Sequence, residues 1–263
     1  DGKNWIQVDD FFFDQSGLTV NKIGNWLAGG TKDGSEGDII GYSQDGINWN
    51  SPNTPPESGD DAYVNVFFCQ GQDKKHILAG GYGGNTGNNI WYSTNGGKDW
   101  NTGSGQPFGS LGNVTSFEYL EDRYYAFGDN GVDKLIFYSD DGIEWIEANL
   151  PDSVVASSQI SDTVKVNGEV YAVGQISNIG GYLVGTLSGD KLVWTQGSDP
   201  KLANFNILNT IVKNHKTPYV IGGTVVGDHS NILYSDSGDS NSWEAPEDNP
   251  FGESSYVEKI IYG

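Results

Sequence analysis

The stretch Ile40-Gly41-Tyr42-Ser43-Gln44-Asp45-Gly46-Ile47-Asn48-Trp49 decides the fold of this 263-residue chain. An apolar run ends in Tyr-Ser, an Asp-Gly turn follows, and a Trp closes the motif. The pattern returns at 90–100 and 136–145, in looser form at 186–194 and 235–243, and without its first half at 1–5. Successive closing Trp residues lie 44, 51, 45, 49 and 49 residues apart, and a period near 50 indicates a repeat protein.

Each repeat predicts four short strands. The first strands alternate or run apolar, as half-buried strands do, at 18–23, 62–68, 113–119, 162–166 and 209–213. The second strands end in small residues, at 26–30, 77–81, 124–128, 170–174 and 219–223. Ala and Gly recurring there indicate a position where backbones approach closely. The third strand carries Tyr-Ser and the fourth carries the Trp.

The Asp-Gly turn is interpreted as structural. Its Asp can accept hydrogen bonds from the N–H groups of its own turn while Gly takes the positive-φ position. The Trp is expected to cover the turn and fill the gap to the next blade. A catalytic role for Asp45 or Asp141 is the alternative. The structural set is Ser43, Asp45, Gly46, Trp49, Ser93, Asn95, Gly97, Trp100, Ser139, Asp141, Gly142 and Trp145.

Ser43-x-Asp45-Gly-x-x-Trp49 and Ser139-x-Asp141-Gly-x-x-Trp145 resemble the Asp-box, or BNR, repeats of sialidase-type β-propellers. The copy at 93–100 has Asn95 in place of Asp, and the copies at 186–194 and 235–243 are degenerate, with longer turns expected. The resemblance implies an all-β propeller of four-stranded antiparallel blades. It implies no particular activity, because such boxes occur in hydrolases, lectins, receptors and assembly factors alike.

We predict one propeller domain over 1–263 with five full blades and a reduced sixth blade. The full blades span approximately 18–51, 62–101, 112–147, 160–196 and 207–245. Residues 1–8 and 254–263 are expected to close the ring as the sixth blade, since an unpaired edge strand invites association. A five-bladed ring with spare ends, or a fragment completed by strands of another chain, is the alternative.

The composition of the chain limits the classes of partner that it is expected to bind. The chain has 35 acidic and 14 basic residues, a net charge of −21, and 38 glycines. Such a surface repels phosphate backbones and anionic membranes, which argues against nucleic acid and membrane insertion. No run of 18 apolar residues is present. We expect a monomer that is secreted to the exterior or periplasm, as bacterial repeat proteins of this type are.

Metals and cofactors are not expected. His76, His215 and His229 lack the spacing of zinc ligands. Calcium is the alternative, because Asp9-Asp10-x-x-x-Asp14 and Asp129-x-Gly131-x-Asp133 offer suitable oxygens without a full EF-hand pattern. Cys69 is read as a small buried hydrophobe.

In a propeller of the resembled type, the strand 3–4 turns lie on one face, and the strand 2–3 and 4–1 loops lie on the other. These variable, Asn- and Gly-rich loops are therefore the expected ligand face. Aromatic rings beside carboxylates and amides suit sugar recognition. The candidates are Asp10, Phe11, Asp33, Tyr82, Asn85, Phe108, Asp129, Asn130, Asp228 and His229, with Tyr82 and Phe108 favoured for exposure.

Sialidase activity is disfavoured on chemical grounds. It requires three arginines around the substrate carboxylate, whereas Arg123 is the only arginine of the chain. A carboxylate pair of another glycoside hydrolase is possible among Asp33, Asp38, Glu57, Asp60, Asp61, Asp129 and Glu253. The sequence selects no pair from them.

Two functions follow. The favoured one is a secreted, non-catalytic propeller that binds a glycan or a protein through its loop face. The alternative is a glycoside hydrolase acting on a neutral polysaccharide, and a scaffold whose incomplete blade accepts a partner strand is a third possibility.

Overall fold

The structure is a computed structural model. It describes residues 17–32, 37–70, 76–130, 135–155, 157–213, 218–227, 229–247, 251 and 255–261. Within these ranges the chain forms nineteen β-strands and two short 3-10 helices, and no α-helix. Neither of the 3-10 helices, at Gly84–Thr86 and Pro200–Asn204, has the length or apolarity to span a membrane.

The chain divides into two compact units. The first comprises Asp1–Val114 with Asp141–Trp145, and the second comprises Thr115–Asp140 with Ile146–Gly263. The core of the first is built around Leu27, Ile40, Val64 and Trp91. Two apolar clusters form the core of the second, one around Phe127, Leu183 and Trp194 and one rich in Tyr with Trp243.

Blades 1 and 2 are antiparallel meanders in the order of the chain. Their strands are β1 Gly17–Ile23, β2 Asn25–Gly30, β3 Ile40–Ser43 and β4 Trp49–Asn50, then β5 Tyr63–Cys69, β6 Ile77–Tyr82, β7 Ile90–Ser93 and β8 Asn101–Thr102. The end of each second strand contacts the start of the following blade, since Thr31 pairs with Tyr63 and Tyr82 with Asn113. The pairing of Thr31 with Tyr63 sets blades 1 and 2 side by side at their 2–3 ends.

Blades 3 to 5 repeat the meander. Their strands are β9 Asn113–Leu120, β10 Arg123–Asp129, β11 Ile136–Ser139 and β12 Ile146–Glu147, then β13 Gln159–Val166, β14 Glu169–Ile176, β15 Ile179–Ser188 and β16 Lys191–Gln196, then β17 Phe205–Val212, β18 Tyr219–Val225 and β19 Ile232–Ser235. In blade 5 a single bridge between Tyr234 and Glu244 stands at the place of the fourth strand.

The small residues that end the second strands lie where the pattern predicts crowding. A Cβ added to Gly81, Gly174 or Gly223 would overlap a carbonyl oxygen of the first strand of the same blade. Opposite these glycines the first strands bulge, with Asn65 and Asn209 left out of the pairing.

The side-chain amide of each of these bulge residues hydrogen-bonds to the segment that lies beside the first strand of its blade. Asn65 Nδ2 donates to the Val114 carbonyl at 3.4 Å, and Asn209 Nδ2 donates to the Val257 carbonyl at 2.9 Å. The bulge therefore turns one side chain of the first strand into a link between neighbours.

The Asp-Gly turn of blade 1 is held by its own box residues. Asp45 Oδ1 accepts from the backbone N–H groups of Ile47 and Asn48, each at 2.8 Å. Ser43 Oγ accepts from Gly46 N at 2.9 Å, and Gly46 has a φ of 79°. The bonds from Asn48 and Ile47 hold the pKa of Asp45 well below its usual value. The carboxylate is thus engaged in the turn.

Blades 2 and 3 use the same geometry. Asn95 Oδ1 accepts from Asp99 N at 3.0 Å, which shows that an amide oxygen can replace the carboxylate. In blade 3, Asp141 Oδ1 accepts from Ile143 N at 2.8 Å and Glu144 N at 2.9 Å. All three turns have their backbone N–H groups satisfied by the box side chain.

The longer turn expected at 186–194 is wrong. β15 and β16 pair as far as Ser188 and Lys191, so only Gly189 and Asp190 form the turn, with Gly189 at a φ of 69°. A two-residue turn with Gly at positive φ closes a regular hairpin without a box. Blade 4 therefore has the longest outer strands, and no Asp-box lies at its tip.

In blades 4 and 5 the closing Trp packs toward the preceding blade rather than the next one. The Trp194 ring lies 5.7 Å from Phe127 of blade 3, and the Trp243 ring lies 5.7 Å from Tyr182 of blade 4, both edge to face. The expected direction of the Trp was therefore wrong, although its role in filling an inter-blade gap agrees with these contacts.

Residues 255–261 run along blade 5 where a further first strand would begin. Tyr256 pairs with Thr224, and Val257 N donates to the Gly223 carbonyl at 3.2 Å. The other expected part of the sixth blade, at residues 1–8, lies outside the described residues. The number of blades and the closure of the ring therefore stay predictions.

Candidate functional site

The 2–3 end of blades 1 and 2 holds a hollow of about 270 Å³. It is lined by Lys32, Gly37, Asp38, Ile39, Pro55, Pro56, Glu57 and Ser58. These residues come from the 2–3 loop of blade 1 and from the 4–1 connection to blade 2. The hollow therefore lies on the face that the sequence assigns to ligands.

Backbone pairing fixes both walls of the hollow. Gly30 N donates to the Ile39 carbonyl at 3.1 Å, and Lys32 N donates to the Ala62 carbonyl at 3.2 Å. The Glu57 carbonyl accepts from Trp91 Nε1 at 2.8 Å. The position of the hollow is thus set by the sheets below it.

Three charged residues, Lys32, Asp38 and Glu57, line the hollow. Lys32 is only 6% exposed, and its Nζ donates to the Ser58 carbonyl at 3.4 Å. Asp38 is half-buried and Glu57 is exposed. A buried ammonium is costly unless oxygen atoms surround it, and the two carboxylates supply negative charge on the same lining. Together they offer donors and acceptors to a polar ligand.

An aromatic pair stands next to this loop end. Tyr63 and Tyr82 have ring centroids 5.5 Å apart at an interplanar angle of 40°, and both rings are half-buried. Tyr63 is the residue that pairs with Thr31, the neighbour of Lys32. Of the favoured aromatic candidates, Tyr82 therefore has a partly accessible ring beside the hollow.

Phe108 does not have the exposure expected of it. It is 1% exposed, and a Cβ at Gly112 would overlap it, so the ring fills the interior of the 4–1 connection. The Pro-Phe pair here packs the loop onto the blade. It offers no ring to a ligand.

The other candidates are spread over the 2–3 ends of different blades. Asn85 is exposed in the 3-10 helix after β6, whereas Asp129 and Asn130 are half-buried at the end of β10. His229 is exposed after β18. The structure does not gather them at the hollow, and Asp10, Phe11, Asp33 and Asp228 lie outside the described residues.

Of the seven candidate carboxylates, Asp38 and Glu57 line this hollow, whereas Asp33 and Glu253 lie outside the described residues. Asp60 and Asp61 are exposed nearby but do not line the hollow. In the part of the chain that the structure describes, no three His, Cys, Asp or Glu side chains cluster as a metal site would require. The aspartates at 9, 10, 14 and 133 named for calcium are not among the described residues.

Sequence reasoning missed Lys32, Pro55 and Pro56. Lys32 could have been identified from the sequence, because it is a lysine in an acidic chain and lies just after the buried end of β2. The two prolines follow the first box by six and seven residues, and their rigid backbone shapes the wall. Neither signal identifies a partner loop without the fold.

Glu118 is a further, half-buried carboxylate, and it lies on β9 in the second unit. Burial raises its pKa, and it accepts a hydrogen bond from Thr163 Oγ1 of β13 at 3.2 Å. Ser116 Oγ lies 2.6 Å from the same hydroxyl. The three groups form a polar contact between the first strands of blades 3 and 4.

Comparison with solved structures identifies the fold. YCF48 bound to D1 peptide superposes with a TM-score of 0.58 and 16% identity, over 94% of this chain and 72% of that one. An ancestral GH74 enzyme gives 0.52 and 16%, over 87% of this chain and 32% of that one. The GH74 enzyme of Niastella koreensis gives 0.53 and 18%, over 87% and 30%.

No family model and no curated protein matches the chain. The chain spans about a third of the length of the GH74 enzymes it resembles. YCF48 and the GH74 enzymes are β-propellers, and at these identities the likeness shows the fold alone. The protein is an all-β chain with the fold of a β-propeller built from antiparallel blades.

Proposed function

We propose that the protein is a non-catalytic binding propeller, and that it holds a neutral glycan in the hollow between blades 1 and 2. The observation that carries this proposal is the meeting of Lys32, Asp38 and Glu57 on one lining of about 270 Å³. A secreted location, outside the cell or in the periplasm, is part of the same proposal.

The lining offers contacts for both the hydroxyl groups and the apolar face of a sugar ring. Ammonium donors and carboxylate acceptors match the hydroxyl groups of a pyranose ring. Pro55 and Pro56 present C–H surface against which the apolar face of the ring can pack. A neutral glycan is favoured over an acidic one because the chain carries a net charge of −21.

A glycoside hydrolase acting on a neutral polysaccharide is the second candidate. It is favoured by one observation, that Asp38 and Glu57 line the same hollow. Such enzymes work through an acid and a base or nucleophile on either side of the glycosidic bond. No arginine is available to bind a substrate carboxylate, because Arg123, the only arginine of the chain, is bound to Asp140 and Asp190.

A protein ligand at the same loop face is supported by a different observation. The structure of YCF48 contains a bound D1 peptide, and its fold covers 94% of this chain. The test therefore includes peptides as well as sugars.

The experiment is a screen of neutral oligosaccharides and a peptide library against the wild-type protein, followed by titration of Asp38→Asn and Glu57→Gln. Glu144→Gln serves as the matched control, since Glu144 is exposed and lies at the 3–4 turn of blade 3. We expect an oligosaccharide to bind, and each hollow variant to weaken binding by about tenfold. A screen with no sugar hit, or equal weakening by the control, would contradict the proposal.

A further inference from the structure

A cavity of about 410 Å³ lies in the second unit, between blade 3 and the outer strand of blade 4. Its lining combines Tyr125, Tyr138, Glu147, Ala148, Asn149, Leu150, Pro151, Lys191, Leu192, Val193 and Trp194. It is larger than the glycan hollow and far more aromatic.

The cavity lies beside a two-residue hairpin that stands in blade 4 where other blades have an Asp-box turn. In blades 2 and 5, a glycine of the turn after the third strand packs against the third residue of the second strand of the preceding blade. A Cβ on Gly97 would meet Leu27, and one on Gly238 would meet Tyr171. Tyr125 holds the same position in blade 3, but the turn of blade 4 has become a two-residue hairpin.

A smaller cavity between blades 4 and 5 allows a comparison. It measures about 250 Å³, and its lining includes Tyr171 and Tyr182 together with Gly238 and the two following residues from the turn of blade 5. At the larger cavity no box residue of the following blade is part of the lining. The two cavities therefore differ in whether a turn of the following blade contributes to the lining.

Arg123 of blade 3 binds the hairpin tip that stands in place of the box. Arg123 Nη1 donates to the Asp190 carbonyl at 2.6 Å, and its guanidinium carbon lies 5.0 Å from the centre of the Tyr138 ring. Tyr138 therefore forms a wall backed by a cation. Burial raises the pKa of the Tyr125 hydroxyl, so this ring is a neutral phenol over the whole physiological range.

β16 borders the cavity as the last strand of its sheet. In the described part of blade 4 the strand order is β13-β14-β15-β16, so the outer edge of β16 pairs with no strand of that sheet. Four successive residues of β16, Lys191 to Trp194, contact the cavity. A cavity that touches both alternating faces of a strand also touches its edge. Such an edge can accept an added strand.

The mouth of the cavity is apolar and its surroundings are acidic. Val193 is 50% exposed and Ile146, next to Glu147, is 53% exposed. Asp140, Asp190 and Glu147 are exposed around this apolar patch. Arg123 pairs with Asp140 and Asp190, and Lys191 is the cation on the lining, so these three carboxylates face two cations in a chain of net charge −21. A partner that buries the patch gains from positive charge at its flanks.

We propose that this cavity is the docking site for an extended, basic peptide segment of a partner protein. The segment adds a strand to the outer edge of β16 and places a bulky apolar side chain between Tyr125, Tyr138 and Trp194. This site is separate from the glycan hollow in the first unit, so either can fail without the other.

The probe is a short synthetic peptide in which Phe alternates with Thr, with Lys at both ends, titrated against the full chain by fluorescence anisotropy. Two analogues dissect the binding: one has Ala in place of Phe, and one is N-methylated along one edge of its backbone. We expect each analogue to bind about tenfold more weakly than the parent peptide, because one loses the side-chain contact and the other the strand pairing.

Variants of the protein provide the matched test. Ala148→Trp fills the cavity from its wall, and Val193→Asp places a carboxylate at its mouth. Leu187→Asp is the control, because Leu187 is an exposed apolar residue of β15 that is not part of the lining. We expect both cavity variants to weaken the parent peptide by about tenfold while the control binds as the wild type does. Thermal unfolding of all three establishes that they are folded.

Hydrogen exchange gives a second readout. Bound peptide is expected to slow exchange of β16 amides and to leave β6 and β7 unchanged. Absence of binding by the parent peptide, equal binding of the N-methylated analogue, or equal binding by folded Ala148→Trp would overturn the proposal. Binding of free indole in place of the peptide would also overturn it, in favour of a small-molecule site.

Discussion

Arg123 Nε lies 2.6 Å from Asp140 Oδ1, and the side chain of Arg123 is only 12% exposed. The same guanidinium donates to the Asp190 carbonyl at 2.6 Å, at the tip of the β15–β16 hairpin. The only arginine of the chain thus fastens the outer hairpin of blade 4 to the third strand of blade 3. Arg123 therefore joins blades 3 and 4, whereas in blades 2 and 5 a turn glycine makes the contact with the preceding blade.

Arg123→Met is expected to lower the free energy of unfolding by about 1.5–3 kcal/mol, because charge-assisted hydrogen bonds to two partners are lost. Lys191→Met is the matched control, since Lys191 is exposed and lies farther from the Tyr138 ring, at 5.7 Å. We expect the control to change stability by about 0–1 kcal/mol. Urea unfolding measures both, and equal stability of Arg123→Met and the wild type would contradict the fastening role.

Asp45 makes the stability depend on pH. Its pKa is well below the usual Asp value in the folded state, so its contribution is full above the unfolded value of about 3.9 and is lost as the pH falls toward the folded value. The melting temperature of the wild type minus that of Asp45→Asn is therefore expected to be positive at pH 7 and to shrink below about pH 4. A difference that stays constant from neutral pH into this acid range would show that the turn does not depend on the ionised carboxylate.

Trp243 is fully buried between Tyr182 and Tyr219. Trp243→Ala is expected to cost about 3–5 kcal/mol, because it removes contacts within blade 5 and to blade 4 and leaves a cavity. Trp49→Ala is the control from the same repeat position, where the ring is only half-buried. Chemical denaturation should show a clearly smaller loss for the control, and comparable losses would disprove the dependence on burial.

Asp162 anchors the C-terminal segment. Its Oδ2 accepts from Thr210 Oγ1 at 3.0 Å and lies 2.8 Å from Lys259 Nζ. Asp162→Ala is expected to cost about 1–3 kcal/mol, since buried donors lose their acceptor. It should also speed amide exchange at Val257 and Ile260. Lys259→Met, which removes a half-exposed partner, should have the smaller effect, and unchanged exchange in Asp162→Ala would refute the anchoring.

The box spacing predicted the blades well because each box is a local device. Ser, Asp and Gly within four residues satisfy the N–H groups of their own turn, so Ser43 to Gly46 can be interpreted without knowledge of the rest of the chain. The crowding around the glycines that end the second strands could also be predicted from the sequence. A position such as Gly81, which faces a carbonyl of its own blade, leaves a repeated pattern in the sequence.

The parts that were missed depend on neighbours distant in sequence. The direction in which Trp194 packs is decided by Phe127, and the burial of Phe108 by the fold of its connection. The meeting of Lys32 with Glu57 requires two loops to be placed by different strands. The lining of the cavity at Tyr125 combines residues of blades 3 and 4 that are distant in sequence.

Incubation of a bound neutral oligosaccharide with the wild-type protein, followed by chromatography of the sugar and calorimetric titration of Glu57→Gln, tests the central claim most directly. The account predicts that the oligosaccharide is recovered intact and that Glu57→Gln binds it about tenfold more weakly. Release of shorter sugars by the wild type, abolished in Glu57→Gln while binding is retained, would contradict it and establish a hydrolase.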